Sequence, residues 1–382
     1  MSTAPIAQDA RQYPGREEPS SRAGVRPTGW FRLTAARLER LAEDTVAITL
    51  DVPADLAETF AHQPGQHVVV RHRTPGGELR RSYSVCPPPG DPAALRVVVK
   101  RNSPDGFGAY ALTTLAEGDP LELSPPAGTF GLPAVRGGHH VLIAGGCGIT
   151  PLAPMAAAAL REDPGCRLSL VHAARTAHDA LLADELALLK DEFVDRFTVL
   201  HVLSRERRES ELCSGRIDAP KLLRLLELLD ARPGPGTRFA LCGPYGLVET
   251  VRDTLAAWGA PADGVRFELF SAAGTPTSPE PATPPDRQGR RSRITAVLGG
   301  RTSVVTMRPE DRVALDAVLR HRPETPYSCR DGVCGSCRAK VVSGAVTLES
   351  QYALDARDLD AGYTLACRAR PRTDDLTLDF DA

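Results

Sequence analysis

Between residues 29 and 136 the apolar positions fall in short alternating or β-branched runs: TVAITLDV from 45, HVVVRH from 67, RSYSV from 81, LRVVVKR from 95 and LELSP from 121. Each run stops at Pro or Gly. Successive side chains of a strand point to opposite faces, so this period predicts an antiparallel β-barrel or sandwich. From 137 to 272 the texture changes. Strand-like VLIAGG, RLSLVHA, FTVLHVL and RFALCG alternate with helix-like HDALLADELALLKDEF, PKLLRLLELLD and GLVETVRDTLAAWG. That alternation predicts a doubly wound α/β sheet, whose ligands gather at the carboxyl ends of its strands.

The stretch AGTPTSPEPATPPDRQG has five prolines and no large apolar residue, which predicts a linker over 273–290. Beyond it, in 291–382, SRITAVL and TSVVTM flank Gly299-Gly300 as a β-hairpin would. A short helix is expected at 313–320 and strands at 338–342 and 376–380, giving a small α+β fold. Residues 1–28, rich in Pro, Gly, Ser, Arg and Glu, predict a disordered tail.

The chain has 382 residues, enough for several cores, and a formal net charge of -2, which gives no reason to expect a nucleic acid partner. Residues 141–160 are nearly all apolar over about the length a bilayer needs, but Gly145, Gly146, Gly148, Pro151 and Pro154 interrupt them. A buried strand, a glycine turn and an Ala-rich helix are expected there, not a membrane span. With no secretory signal, a reducing cytoplasm is the expected compartment, and Cys86, Cys147, Cys166, Cys213 and Cys242 are expected to be small apolar fillers for the most part.

The remaining cysteines carry the sharpest chemistry. Cys329, Cys334 and Cys337 lie in YSCRDGVCGSC, and Cys367 follows in TLACRA. C-x4-C-x2-C with a distant fourth Cys is the plant-type spacing for a 2Fe-2S cluster. Gly332 and Gly335 let the loop turn tightly around it. Zinc is the bland alternative, although its sites favour paired short spacings; a disulfide is the other.

Arg81-Ser82-Tyr83-Ser84 closes a strand with a cation for a pyrophosphate, a ring for a flat heterocycle and a hydroxyl for its polar edge. Gly145-Gly146-Cys147-Gly148-Ile149-Thr150-Pro151 joins a strand to a helix, where glycines let backbone approach a dinucleotide's phosphates. Either string alone also reads as an ordinary strand end or tight turn. A site for the 2'-phosphate of NADPH needs Arg and hydroxyl donors rather than the carboxylate of an NAD site. The strand RLSLVHAAR ends at Arg175-Thr176 and the next at Ser204-Arg205, so NADPH is expected, though Arg207 and Arg208 show that the loop is generally basic.

A barrel bearing Arg-x-Tyr-Ser, then the Gly-Gly-Cys-Gly-Ile-Thr-Pro turn on a parallel sheet, resembles the ferredoxin-NADP reductase family; Pro64-Gly65-Gln66-His67 is similar to its strand-entry motif. The resemblance implies FAD, with Arg81 on the pyrophosphate and Tyr83 and Ser84 near the flavin ring. It places the flavin phosphates at the helix start Gly106, Phe107 and Gly108, where this chain lacks the family's usual hydroxyl. It places Gly146, Gly148 and Thr150 at the nicotinamide dinucleotide, Cys242 and Gly243 beside the nicotinamide, and Glu268 and Phe270 at the flavin. An inward Phe on a final strand is the plain alternative for the last pair.

With the cluster segment at its C-terminus, the chain resembles reductase subunits of multicomponent oxygenases, those of phenylacetyl-CoA epoxidation above all, through RSYSV, AGGCGITP, LSRE, SGRID and LESQYAL. The fold implied is a flavin barrel, an NADP α/β domain and a β-grasp-like plant-type ferredoxin. Electrons would pass from NADPH to FAD to the cluster and on to a di-iron oxygenase subunit. Service to another aromatic-ring hydroxylase or demethylase is the alternative, and a non-catalytic redox sensor the remote one. A tether at 273–290 would let the ferredoxin shuttle, with Arg330, Asp331, Arg338 and Lys340 as a docking surface.

Overall fold

The computed structural model describes residues 29–74, 77–88, 90–91, 93–132, 137–270, 292–348, 351–354 and 356–382. The tail expected at 1–28 and the whole of the linker expected at 273–290 lie outside them.

Six strands form the first sheet: β1 (Phe31–Ala42), β2 (Thr45–Asp51), β3 (His67–Thr74), β4 (Gly77–Ser84), β5 (Leu95–Lys100) and β6 (Pro120–Leu123). Their order is β4-β3-β6-β1-β2-β5, with antiparallel pairing throughout. The two outer strands are joined just past the end of β4, where Val85 bridges Val97 and the Cys86 N–H donates to the Arg96 carbonyl. The sheet is thereby a barrel, which protects edges that would otherwise pair with another chain. The alternating residues Val68, Val70, Val97 and Val99 point into its core. A short helix α1 (Ala57–Phe60) and then α2 (Phe107–Thr113) join its core through Phe60 and Phe107. Full burial of Phe107 contributes about 2–3 kcal/mol.

The second sheet is parallel: β7 (His139–Gly145), β8 (Arg167–Ala174), β9 (Phe197–Leu203), β10 (Thr237–Gly243) and β11 (Val265–Leu269), ordered β11-β10-β7-β8-β9. Helices α3 (Ile149–Glu162), α4 (Ala183–Glu192), α5 (Ala219–Leu228) and α6 (Tyr245–Trp258) accompany it. Every residue of β7 is buried, as a central strand covered on both faces requires. The apolar run 141–160 is thus a strand, a glycine turn and a helix, and among the described residues no helix is long and apolar enough to cross a membrane. Helix α4 begins five residues later than the apolar pattern implied. Leu182 takes a left-handed conformation, φ 60°, and Asp179 is folded back on Thr176, so the chain turns before it coils.

The third unit has β12 (Arg293–Leu298), β13 (Arg301–Thr306), β14 (Arg338–Ser343), β15 (Val346–Leu348), β16 (Tyr363–Leu365), β17 (Ala369–Pro371) and β18 (Asp375–Asp379), with α7 (Ala314–Leu319) and α8 (Ala356–Asp360). Five strands form one mixed sheet, β13-β12-β18-β14-β16, while β15 and β17 pair separately. The expected hairpin is present: Gly299 at φ 60° and Gly300 at φ 68° make a two-residue turn that side-chain-bearing residues resist. Helix α7 buries Ala314, Leu315, Ala317 and Val318 against the sheet, the β-grasp arrangement.

Candidate functional site

The strand order of the parallel sheet reverses between β7 and β10, and both glycine motifs stand at the carboxyl ends of that pair. The two turns interlock through backbone. A Cβ on Gly148 would lie 2.0 Å from the Cys242 carbonyl oxygen, and one on Gly243 would lie 2.9 Å from the Gly145 nitrogen. Gly146 holds a left-handed φ of 53°. Thr150 is buried and donates its hydroxyl to the Cys147 carbonyl at 2.9 Å, which braces the start of α3. His172 on β8 supports the same turn, its Nε2 lying 3.1 Å from the Gly146 carbonyl. Burial holds that imidazole down at about 4, with His201 adding to the effect. Sequence reasoning missed His172, which carries no motif.

Cys242 is fully buried and sits beside Glu268 in the register of β10 and β11. Its thiol is held well above the usual range by burial, then by Glu268 and Cys147. Burial pushes the Glu268 carboxyl up to about 8, and Cys334 adds to this. Glu268 Oε1 lies 4.0 Å from His67 Nδ1. Burial also lowers His67, so near pH 7 this is a neutral imidazole beside a carboxylic acid rather than an ion pair. Phe270, expected at the flavin or inward, is 41% exposed just past β11, while Phe267 packs on the core under Arg252.

Strand β4 faces this region. Ser84 pairs with His67 in the sheet, and Tyr83 packs against Phe107 with ring centroids 5.7 Å apart. Burial raises the Tyr83 phenol, and Cys147 acts on it across the cleft, so the barrel strand and the glycine turn face each other. Arg81 is exposed and donates to the Arg80 carbonyl at 2.8 Å. At the start of α2, Gly108 packs against β5: a Cβ there would stand 2.5 Å from the Lys100 carbonyl. The Ser103 hydroxyl lies against Gly106, so a hydroxyl does stand at this turn, upstream of the helix start. The hydroxyls of Ser82 and Ser84 and Glu268 Oε2 are buried without hydrogen-bond partners. Buried polar atoms normally have partners. These line the strand and cleft where a flavin's polar ring edge fits.

At the ends of β8 and β9 the structure brings Arg175, Ser204 and Arg205 together: the Arg205 N–H donates to the Arg175 carbonyl at 2.7 Å, and the Ser204 N–H to that of Ala174. Arg175 is engaged by Asp179 at 2.7 Å and Asp44 at 3.3 Å. Arg205 is exposed and makes no ion pair among the described residues.

The cysteine loop closes on the junction of all three sheets. Its thiols stand as two pairs. Cys329 is raised chiefly by its hydrogen bond with Cys334, which is lowered by the same bond; Cys337 and Cys367 share theirs likewise. Among the described residues no three metal-ligating side chains converge on a single point. Two pairs of thiols are the donor set for two irons, so these residues fit a 2Fe-2S cluster. Arg330 is at φ 61°, and Gly335 at φ 68° continues the turn. Val333 at the loop tip joins the apolar cluster of the parallel sheet, Tyr352 packs edge-on to Tyr245 at 5.6 Å, and Ser336 Oγ lies 3.2 Å from His67 Nε2. His67, in a motif noted only as a strand entry, therefore touches the barrel, Glu268 and the cysteine loop.

Family models match in the same order as the sheets: "Oxidoreductase FAD-binding domain" over 32–131, "Oxidoreductase NAD-binding domain" over 142–253 and "2Fe-2S iron-sulfur cluster binding domain" over 297–372. The chain is 35% identical over 360 residues to a subunit of 1,2-phenylacetyl-CoA epoxidase from Escherichia coli K12, covering 93% of this chain and 99% of that one. The chain belongs to the ferredoxin-NADP reductase family, in the branch with a C-terminal 2Fe-2S ferredoxin domain. It is 33% identical over 91% of its length, and 96% of the relative's, to the ferredoxin reductase component of 3-ketosteroid-9-alpha-monooxygenase from Rhodococcus rhodochrous. Among solved structures, phthalate dioxygenase reductase matches 92% of this chain and 98% of its own, at 26% identity and TM-score 0.54. An intact type IV self-sufficient cytochrome P450 monooxygenase shares the fold at 24% identity and TM-score 0.65; this chain covers 96% of itself but only 43% of that longer protein. The chain is accordingly an NAD(P)H-dependent oxidoreductase, the ferredoxin-reductase component of an oxygenase system, with FAD and a 2Fe-2S cluster as its resident groups.

Proposed function

We propose that this reductase draws electrons from NADPH and delivers them to a di-iron oxygenase subunit that epoxidises phenylacetyl-CoA. The observation that carries the acceptor is the match to the phenylacetyl-CoA epoxidase subunit, which runs through all three units and nearly the full length of both chains. Bound FAD would supply hydride acceptance and one-electron release, and the cluster one-electron carriage. The boundaries 29–136, 137–272 and 291–382 each enclose one of the three main sheets, which supports reading them as the three domains.

The chain's own residues orient and exclude. Arg81 supplies the cation for the flavin pyrophosphate, and Tyr83 and Ser84 the ring face and its polar edge. The start of α2 at Gly106, Phe107 and Gly108 supports the phosphates. Gly146, Gly148 and Gly243 let the dinucleotide approach backbone, with Thr150 bracing the turn. Cys242, a buried neutral thiol, fills the wall beside the nicotinamide, and Glu268 holds a proton at its carboxyl near pH 7. Phe270, exposed past β11, is free to cover the flavin. Ser204 and Arg205 take the 2'-phosphate; Arg175, already engaged by two carboxylates, is the looser contact. Cys329, Cys334, Cys337 and Cys367 hold the cluster.

The docking surface needs narrowing. Arg330 pairs with Asp316 at 2.8 Å, and Arg338 pairs with Asp358 and stacks on Tyr363 at 3.4 Å, so both are spent within their own domain. Asp331 and Lys340, both exposed, are better placed to meet a partner. The deciding experiment is NADPH oxidation with purified di-iron subunits and phenylacetyl-CoA, followed by product analysis. Coupled formation of the epoxide supports the proposal; NADPH oxidation without product assigns another acceptor. The steroid monooxygenase component, 33% identical over 91% of this chain, favours a ring-hydroxylating oxygenase as the second candidate.

A further inference from the structure

The barrel sends one buried cation into the ferredoxin domain. Arg80, on β4 next to the flavin motif, is only 5% exposed. Its Nη1 donates to the Thr325 carbonyl at 3.1 Å and its Nη2 to the Pro323 carbonyl at 3.0 Å, partners some 245 positions away in sequence. Its Nε donates to Glu78 at 2.7 Å, which neutralises the charge from the barrel side. The guanidinium lies over the Tyr327 ring at 4.1 Å and beside Trp30 at 4.8 Å. A buried charge is costly unless paired and hydrogen-bonded, and each of the three nitrogens of this one has a partner.

The place of this contact gives it meaning. Arg80 is four residues before Ser84 on the strand read as the flavin strand, and Tyr327 is two residues before Cys329. The clasp thus ties the flavin strand to the base of the cysteine loop. Among the described residues, the other hydrogen bond across that boundary, His67 to Ser336, joins the barrel to the cysteine loop. Arg80 stands outside the cleft and touches none of the residues assigned to the cofactors except by its own backbone, so it can act on their spacing without contributing to their binding.

We propose that Arg80 is an inter-domain clasp that seats the ferredoxin domain on the flavin face, and is thereby a positioning residue for electron transfer from flavin to cluster. Fixed by carbonyls on one side and Glu78 on the other, the guanidinium sets the separation of the two redox sites. Electron transfer between two bound redox groups slows steeply as they separate, so a contact that sets their separation sets the rate of cluster reduction. The role is the same whichever oxygenase receives the electrons.

The test uses the holoprotein. In rapid mixing with NADPH, Arg80→Ala should bleach its flavin within about twofold of the wild-type rate and reduce its cluster at least tenfold more slowly. Without NADPH, hydrogen exchange should accelerate at the backbone of 323–328 and stay unchanged in β7. Arg80→Lys, which keeps the charge and loses the fork, should fall between the two in both readouts. Cluster reduction within twofold of wild type in Arg80→Ala, or unchanged exchange at 323–328, overturns the proposal. So does an equal slowing of both kinetic phases. If Arg80→Ala does not fold, Tyr327→Leu removes one stacking face and should give the same split; wild-type cluster reduction in that variant overturns the clasp as well.

Discussion

Two of the seams around the cleft are built differently. Where the parallel sheet meets itself at the switch point, backbone lies on backbone: Gly148 against the Cys242 carbonyl, Gly243 against Gly145. Where the barrel meets the ferredoxin domain, side chains reach across: Arg80 to Thr325 and Pro323, His67 to Ser336. The first seam leaves no slack, as suits the fixed approach that hydride transfer requires. The second is fastened by a few hydrogen bonds and stacked rings, and such contacts open without unfolding either side. One cleft wall is therefore permanent and the other detachable.

The most drastic way to sharpen that contrast is to remove what the detachable side carries. Cys334→Ser should abolish cluster reduction entirely while NADPH-dependent ferricyanide reduction at the flavin continues. Visible spectroscopy and a ferricyanide assay measure the two. Loss of both activities would mean that the ferredoxin side is as integral as the switch point.

Next comes the permanent seam itself. Gly148→Ala places a methyl 2.0 Å from the Cys242 carbonyl, with no side chain to yield. The expected cost is about 3 kcal/mol, read as a shift of the denaturation midpoint, with weaker nucleotide binding. A loss under about 1 kcal/mol would show that the two turns can slide apart, and the contrast between the seams would fail.

Acid should then attack the permanent seam first. His172 is buried neutral at about 4, against an ordinary value near 6.5, and it braces the Gly146 turn. The unfolded chain binds the proton more tightly, so this stability is full above about pH 6.5 and is lost as pH falls toward 4. The share of His172 between pH 7 and pH 5 is a loss of about 2 kcal/mol, read as the difference between the wild type and His172→Asn. The difference is needed because His139, held at about 4, adds to the wild-type slope and Glu268, held at about 8, opposes it. Urea denaturation at both values checks it. His172→Asn should change the slope by that share, and an unchanged slope in that variant would assign it elsewhere.

The two seams also differ in how readable they were. The switch point was visible in the strings GGCGITP and CGP because a close backbone approach demands glycine at fixed offsets, a local requirement that leaves a local trace. The cysteine loop was legible for the same reason. Arg80, His67 and Ser336 meet partners 243 to 269 positions distant. Nothing in a neighbouring residue marks such a contact, so the sequence singled out Arg81 and not Arg80. Strand β1, FRLTAARLERLA, was hidden differently. Its Ala, Leu, Arg and Glu favour a helix, and pairing with β2 and β6 overrides that preference, with register shifts at Ala35/Arg37 and Arg40/Ala42. Ser103 was missed because its hydroxyl comes from before the helix start rather than from within it.

The smallest expected effect concerns the far edge of the permanent seam, where β8 and β9 end. Arg205 is exposed and makes no ion pair among the described residues, so its removal should leave stability unchanged. If it meets the 2'-phosphate, Arg205→Ala loses one charge-assisted contact, about 1.4 kcal/mol, and the KM for NADPH rises about tenfold. NADH lacks that phosphate, so its KM should move by less than about twofold. Arg175 cannot substitute, because Asp44 and Asp179 already hold its guanidinium. Steady-state ferricyanide reduction with each coenzyme measures both constants at the flavin, independently of the ferredoxin side. An equal rise for both would move the coenzyme's discriminating contact away from this edge, leaving the interlocked glycines as the whole of the nucleotide site.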